Sequence, residues 1–387
     1  MTGEATPADL WDSDRPELVA IRWEAARRIA SPWAVLSIAL THSLLTIPYT
    51  VRYRSELHPE GTPLNLAIAI VGRSGAGKST ATNAAAHAVR YLGADALPEA
   101  IAVRSGEAIP TALAFMHTAS KDAEPELKWR RADHAIWAHW EEVGMLAAQG
   151  ARTGSTMLDA IKSVTSGERI GGQNSRGDGL TIPTGSYRAV VTVAVQPRLS
   201  APLLNDAAVS GGLSGRFLWT LAEDPAAASV PRPRLPTEHV SVDLTHWDGV
   251  RYVDALPVMD AAHDADTRAA HRGERDPINS RALLIRSVVS IALANMNGRA
   301  SLDSEDWRLA GAVLAHSEHT RAAILRALAE PDPQELAADR LAESYVIDRV
   351  ADLRARGLPW RQVESQIAKS KRDTFKSLLA AGRIERW

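Results

Sequence analysis

One eight-residue run, Gly72-Arg-Ser-Gly-Ala-Gly-Lys-Ser79, constrains the fold of this chain more than any other feature. It has the spacing G-x-x-x-x-G-K-[ST]. It follows the apolar run Leu64, Leu66, Ile68, Ile70 and Val71, and it precedes an alanine-rich helical stretch expected to end at Gly93. A short apolar run bounded by Pro63 and Gly72 reads as a buried parallel strand, and strand, glycine loop and helix is the context this motif needs. Such a loop turns successive N–H groups inward at a helix N-terminus and so cradles phosphate. In this reading Gly72, Gly75 and Gly77 supply backbone freedom, Lys78 reaches the outer phosphates, Ser79 offers its hydroxyl to Mg2+, and Thr80 completes the first helical turn. The expected ligands are ATP and Mg2+, and the expected fold is α/β with a P-loop NTPase core on a parallel sheet.

Composition narrows the remainder. At 387 residues the chain is long enough for two or three domains, each with its own core. Lys and Arg number 44 against 46 Asp and Glu, which excludes a globally basic nucleic-acid coat, so any such affinity must come from a local patch. With no cysteine, disulfide frameworks, thiolate nucleophiles and iron–sulfur clusters are excluded together. A reducing, cytoplasmic setting fits, because residues 1–16 carry acids where a signal peptide has a basic and then an apolar segment. The most apolar stretch, residues 33–47, is interrupted by Ser37, Thr41, His42 and Ser43 and falls short of the roughly 20 residues that span a bilayer. It reads as a buried helix, and no membrane association is expected.

Along the chain, residues 1–60 form an expected N-terminal helical subdomain, with Leu18, Ile21, Ala25 and Ile29 on one face. Residues 61–222 form the ATPase core, with further strands expected at residues 100–103, 134–140 and 189–196. Residues 223–243 are a proline-rich linker, residues 244–330 a helical region with Leu284, Val288 and Ile291 in register, and residues 331–387 a last helical unit.

Hydrolysis needs carboxylates near the phosphate loop, usually past the end of a neighbouring strand. Glu141 and Glu142, directly after Ala135-Ile-Trp-Ala-His-Trp140, fit that requirement: Glu141 to support the metal and Glu142 to orient or activate water. The first acid is usually Asp, and His139 interrupts the apolar run. One helix over residues 128–148 with a solvated Glu pair is the alternative, since Ile136, Trp140, Val143 and Leu146 also have helical spacing.

Two further elements complete a pattern: Gln196 at the end of Val190-Val-Thr-Val-Ala-Val-Gln, and the run Gly211-Gly-Leu-Ser-Gly-Arg-Phe-Leu-Trp219. With the phosphate loop and Trp-Glu-Glu-Val-Gly at 140–144, the order over residues 30–325 resembles the helicase-like ATPase portion of phage and mobile-element primase-helicase proteins, many of them actinobacterial. The resemblance implies that Gln196 senses the terminal phosphate and that Arg216 is an arginine finger acting on a neighbouring subunit's nucleotide. An ordinary sheet-end hydrogen bond and a structural ion pair are the plain alternatives for these two. It also implies that residues 244–330 form a helical lid whose leading Arg281 touches nucleotide, against a solvated helix start. Residues 167–179, glycine-rich between two strand-like flanks, would form a hairpin in the pore, with Arg169 and Arg176 following the backbone of single-stranded DNA; a plain surface loop is the alternative. The implied assembly is a homo-oligomer, a hexamer being one such ring, with any primase a separate protein.

The tail reads helix, turn, helix, wing, a winged-helix-like DNA-binding unit. Residues 351–387 hold nine Lys or Arg against four Asp or Glu, a net +5. Lys369, Lys371, Arg372 and Lys376 gather where a recognition helix would meet duplex DNA, and Ser370 with Asp373 forms a variant capping box. A packing module with a solvated basic face is the competing reading. His316 and His319 share a helix face, but no third metal ligand accompanies them. The expected function is an ATP-hydrolysing, ring-forming, replicative-type DNA helicase or translocase of a phage or mobile element; a non-translocating ATP-dependent DNA-binding switch, such as an initiator, loader or defence regulator, is the second reading.

Overall fold

Leu66–Val71 is buried at every position, as a parallel strand covered on both faces must be. It is β1 of a five-stranded sheet whose other members are β2 (Ala100–Ala102), β3 (Ala135–Trp140), β4 (Arg188–Val195) and β5 (Phe217–Leu221). Every pairing is parallel and the spatial order is β5-β1-β4-β3-β2. All five carboxyl ends therefore lie at one edge of the sheet, called here the strand ends, and all five starts at the other. Ligands of open parallel sheets bind outside the strand ends, where the strand order reverses.

The protein is described by a computed structural model covering residues 6–73, 75, 77–93, 97–118, 124–144, 157–172, 179–234, 238–330 and 333–387. The chain divides into two compact units, Met1–Ala327 and Leu328–Trp387. In the larger unit, Ile68, Ile70, Trp137, Val190 and Leu218 share a core with the helix Pro32–Thr46, buried as its composition requires. Burying each such side chain contributes about 1.5–3 kcal/mol. The helix Lys78–Ala88 turns an alanine stripe, Ala81, Ala84, Ala85 and Ala88, towards that core, and small side chains let neighbouring helices approach closely. On the open side of β5, the Trp219 amide donates to Ser317 Oγ on the helix Ser304–Ala329 (2.8 Å), which occupies an edge that would otherwise be free to pair.

Several expectations change. The divisions at 60, 222 and 243 do not separate compact units: one hydrophobic core runs from Leu10 to Val313, and Arg52–Ser55 pairs in parallel with Tyr252–Asp254. The helix after the phosphate loop stops at Ala88, because Val89–Leu92 becomes a strand beside Val240–Asp243, a segment expected to be linker. Ile29 is exposed in a left-handed C-cap while Leu18, Ile21 and Ala25 are buried. Residues 128–148 are not one helix, since β3 is a strand. The helix Ala282–Met296 does not lie over the glycine-rich loop: it begins beside Leu66, at the strand starts, and Asn295 Nδ2 donates to the Ser43 carbonyl (3.0 Å) near the end of the helix Pro32–Thr46. Among the described residues only Pro277–Met296 is long and apolar enough to cross a membrane, and half of it is buried in this unit.

The smaller unit packs Val346, Val350 and Leu353 of the helix Pro333–Ala355 against Val363, Ile367, Phe375 and Leu378. Its last helix, Arg372–Ala380, follows a 3-10 turn at Lys369–Lys371 and has no side-chain cap, so the Ser370–Asp373 box does not form. Residues 383–387 form no strand and hence no wing. Ile384 is buried instead and Trp387 Nε1 donates to the Leu358 carbonyl (3.0 Å), which folds the terminus onto the helices.

Candidate nucleotide site

The loop after β1 leaves the sheet at the strand ends. Gly72 N donates to the Val195 carbonyl of β4 (2.8 Å), and Ala222 N donates to the Val71 carbonyl (2.7 Å), so both neighbouring strands hold its root. Gly75 (φ +82°) and Gly77 (φ +80°) lie in the left-handed region, where a side chain would be strained. The helix starts at Lys78 with Gly77 as its N-cap, presenting unpaired N–H groups and the positive end of the helix dipole to whatever the loop encloses. Thr80 is half-buried in the first turn; the side chains of Lys78 and Ser79 lie outside the described residues.

The parallel register fixes the positions of the other residues at this edge. Val195 pairs with Val71 and Val193 with Trp140, so Gln196 follows β4 immediately beside the loop, while Glu141 and Glu142 follow β3 one strand further, roughly 10 Å across. Both glutamates are exposed and Gln196 is half-buried. His139, the polar interruption in β3, is accounted for within the sheet: its Nδ1 lies 2.8 Å from Thr192 Oγ1, which also accepts from Trp137 Nε1 (2.7 Å).

One residue at this edge carried no functional expectation from sequence. The carboxylate of Glu223, two residues past β5, accepts from the backbone N–H of Arg73 (2.6 Å) and lies 3.2 Å from its guanidinium. It ties the second residue of the loop to the neighbouring strand, and its only sequence signal was its place just after an apolar run.

Arg216 lies at the opposite edge. It ends a 3-10 turn, Ser214–Arg216, immediately before β5, so it stands at the strand starts. A Cβ on Gly215 would sit 2.9 Å from Ser280 Oγ and 3.0 Å from the Ile278 carbonyl, so only glycine lets the turn pack there. The guanidinium bonds the Gly212 carbonyl and lies 3.5 Å from Ser166 Oγ, while its Nε is buried without a partner. Arg281 lines the same small cavity. Burial, followed by the like charge of Arg281, pulls Arg216 down to about 10, with Glu168 opposing; burial also lowers Arg281. Two crowded cations facing one nearby carboxylate leave an excess of positive charge there.

The flanks of the expected hairpin pair, Ile170–Gly171 with Thr181–Ile182 antiparallel, and Arg169 lines a groove of about 560 Å³ beside them. Arg176 lies outside the described residues. In the smaller unit Lys369 is exposed, Lys371 half-buried, Arg372 half-buried with an unpartnered Nε, and Lys376 is 3.8 Å from Glu364. His316 is a core residue, stacked on Trp33 at 3.7 Å. Among the described residues no three His, Cys, Asp or Glu cluster as a metal cage. A hydroxyl and a carboxylate with substrate oxygens and water form a donor set suited to Mg2+, which retains water and needs no all-protein cage. No known family model matches the chain, and no curated protein matches it.

Proposed function

We propose that this chain is an ATP-hydrolysing, ring-forming DNA helicase or translocase of the replicative type carried by phages and mobile elements. The observation that carries the reading is a separation: the phosphate loop, Gln196 and Glu142 share the strand ends, whereas Arg216 and Arg281 stand at the strand starts. A cation at the far edge of the sheet has no route to its own subunit's nucleotide, but head-to-tail packing of subunits would bring it to a neighbour's.

In this mechanism the loop amides and Lys78 bind the triphosphate, Gln196 orients its terminal oxygen, and Glu142 holds and deprotonates the attacking water. Magnesium held by Ser79 and Glu141 would neutralise charge on the outer phosphate oxygens. Arg216 of the next subunit stabilises the charge that develops on the transferred phosphoryl group. Arg281, beside Arg216, serves the same interface and not its own site. Arg169, beside the paired flanks, and Arg176 contact the DNA backbone, and the basic tail binds duplex.

The test mixes two inactive proteins. Lys78→Ala lacks phosphate contact and Arg216→Ala lacks the finger, so each alone is expected to lose ~10³-fold or more in ATPase rate. Mixed, they rebuild some complete interfaces, and partial activity returns. Full activity of Arg216→Ala in a concentration-independent monomer would overturn the reading, and ATP hydrolysis without strand separation would leave the DNA-binding switch.

A further inference from the structure

At the strand starts, three rings form a column. Trp129 stacks on His134 with centroids 3.7 Å apart and planes 11° from parallel, and His134 stacks on Tyr49 at 4.1 Å and 18°. His134 is held in the left-handed region (φ +52°), unusual for a residue with a side chain, and its Nδ1 lies 2.9 Å from the Ser186 carbonyl. All three rings are half-buried. Trp129 ends the second strand of a two-stranded ribbon, Ala114–His117 with Glu126–Trp129, that pairs with no other strand among the described residues. Phe115 and Met116 of the ribbon are each 40% exposed, and the guanidinium of Arg130 lies over the Phe115 ring, 5.3 Å from its centroid.

Three cations flank Trp129 along the chain, in Lys128-Trp-Arg-Arg131. Lys128 pairs with Glu126 (2.8 Å) and Arg131 with Asp133 (2.5 Å), whereas the described polar contact of Arg130 is to a carbonyl, that of Thr111 (2.6 Å), so its charge is not cancelled there. Ring planes at base-stacking distance and an exposed aromatic topped by a guanidinium whose charge is not cancelled are what single-stranded nucleic acid is bound by: bases stack on the rings and phosphate meets the guanidinium.

We propose that Tyr49, His134 and Trp129, with Phe115 and Arg130, form a stacking platform for single-stranded nucleic acid at the strand starts. Bases continue the ring column beyond its outer faces, and Arg130 meets the intervening phosphate. The proposal rests on the nucleic-acid part of the function above and not on ATP hydrolysis.

Full-length protein is titrated against fluorescein-labelled dT20 and rU20 without nucleotide. Trp129→Ala and Tyr49→Ala are each expected to weaken binding about tenfold. Because Trp129 also supports His134, the exposed pair Phe115→Ser and Arg130→Ser supplies independent variants, checked by unchanged melting temperature; Arg130→Ser should also make the salt dependence shallower by about 0.7 in log–log slope. Irradiating a bound 5-iododeoxyuridine oligonucleotide should cross-link it to Tyr49, Phe115 or Trp129. Equal loss for dT20 and rU20 means the platform reads bases by their faces; loss for one only assigns the platform to that nucleic acid. Wild-type binding that persists undiminished in all four variants, with cross-links elsewhere, overturns the platform and leaves the helicase reading intact. Failure of wild type to bind either oligonucleotide overturns both.

Discussion

Glu142 stands beyond β3 with no described partner holding it, while Asp133 and Glu168 are engaged at the strand starts. Asp133 accepts from the Ala135 amide (3.0 Å) and from Arg131, at the strand starts, and Glu168 faces Arg216 and Arg281 at that same edge. Glu142→Gln preserves shape but cannot take a proton from water, so a rate loss of about 10²–10⁴-fold is expected with ATP affinity retained. Single-turnover hydrolysis beside equilibrium ATP binding measures this, and normal hydrolysis in the variant would move the base elsewhere. A second residue predicts a pH dependence. His42 is buried edge-on against Trp137, and burial lowers its imidazole to about 4. Folded His42 thus stays neutral where the unfolded chain, near 6.5, takes up a proton. Stability is full above pH 6.5 and falls as pH drops towards 4, by on the order of 3 kcal/mol from this residue. His316, lowered to about 3 by burial, adds a loss of the same sign. Urea midpoints across pH 4–7 should fall less steeply for His42→Leu than for wild type; identical slopes would show that His42 does not carry the effect.

Elements buried on both faces were legible in the sequence, because their signal is local. β1, β3 and β4 are apolar runs between turn residues, and the expected strands match them to within two residues. The helix Met157–Ser166 carries a local signal of the same kind: its Met157, Ile161 and Val164 repeat at helical spacing. What sequence could not show was pairing between distant segments. Val89–Leu92 looks like the end of an alanine helix until Val240–Asp243 lies beside it, and a short stretch within a proline-rich region offers no periodicity to announce a partner. The candidate site divides along the same line. Glycines, Lys78 and Ser79 form a motif that is contiguous and so readable, and the acids after β3 follow from strand polarity. The distance between Arg216 and the loop depended on the sheet order, which set β5 beside β1 and sent the residue before β5 to the far edge. The tie from Glu223 to Arg73 spans 150 residues and depends on that adjacency as well.

The molecule as a whole consists of two units with separate cores, and this separation makes one prediction about where duplex DNA binds. Residues 72–223, which hold every proposed nucleotide contact made within one subunit, belong to Met1–Ala327, while Val346, Val363, Phe375 and Leu378 form the core of Leu328–Trp387. Ending the chain after Glu330 keeps the helix Ser304–Ala329 whole, retains the Trp219–Ser317 bond and removes the basic stretch 351–387 (net +5) together with residues 331–350, whose five Asp or Glu against two Arg bring the removed segment to a net +2. DNA-independent ATPase should persist, duplex affinity should fall, and the log–log salt slope should become shallower because fewer counterions are released. The structure also sharpens which charges to reverse. Arg372 has a buried, unpartnered Nε and Lys376 lies near Glu364, so both are left in place, and the exposed Lys369→Glu with the half-buried Lys371→Glu reverses charge at the helix start while leaving Phe375 and Leu378 packed. That double variant should reproduce most of the truncation's loss in duplex binding at low salt and little of it at high salt. Equal affinity and equal salt slope in the truncated chain would make the tail a packing or partner-binding unit, and DNA contact would then rest with the hairpin and the ring column at the strand starts.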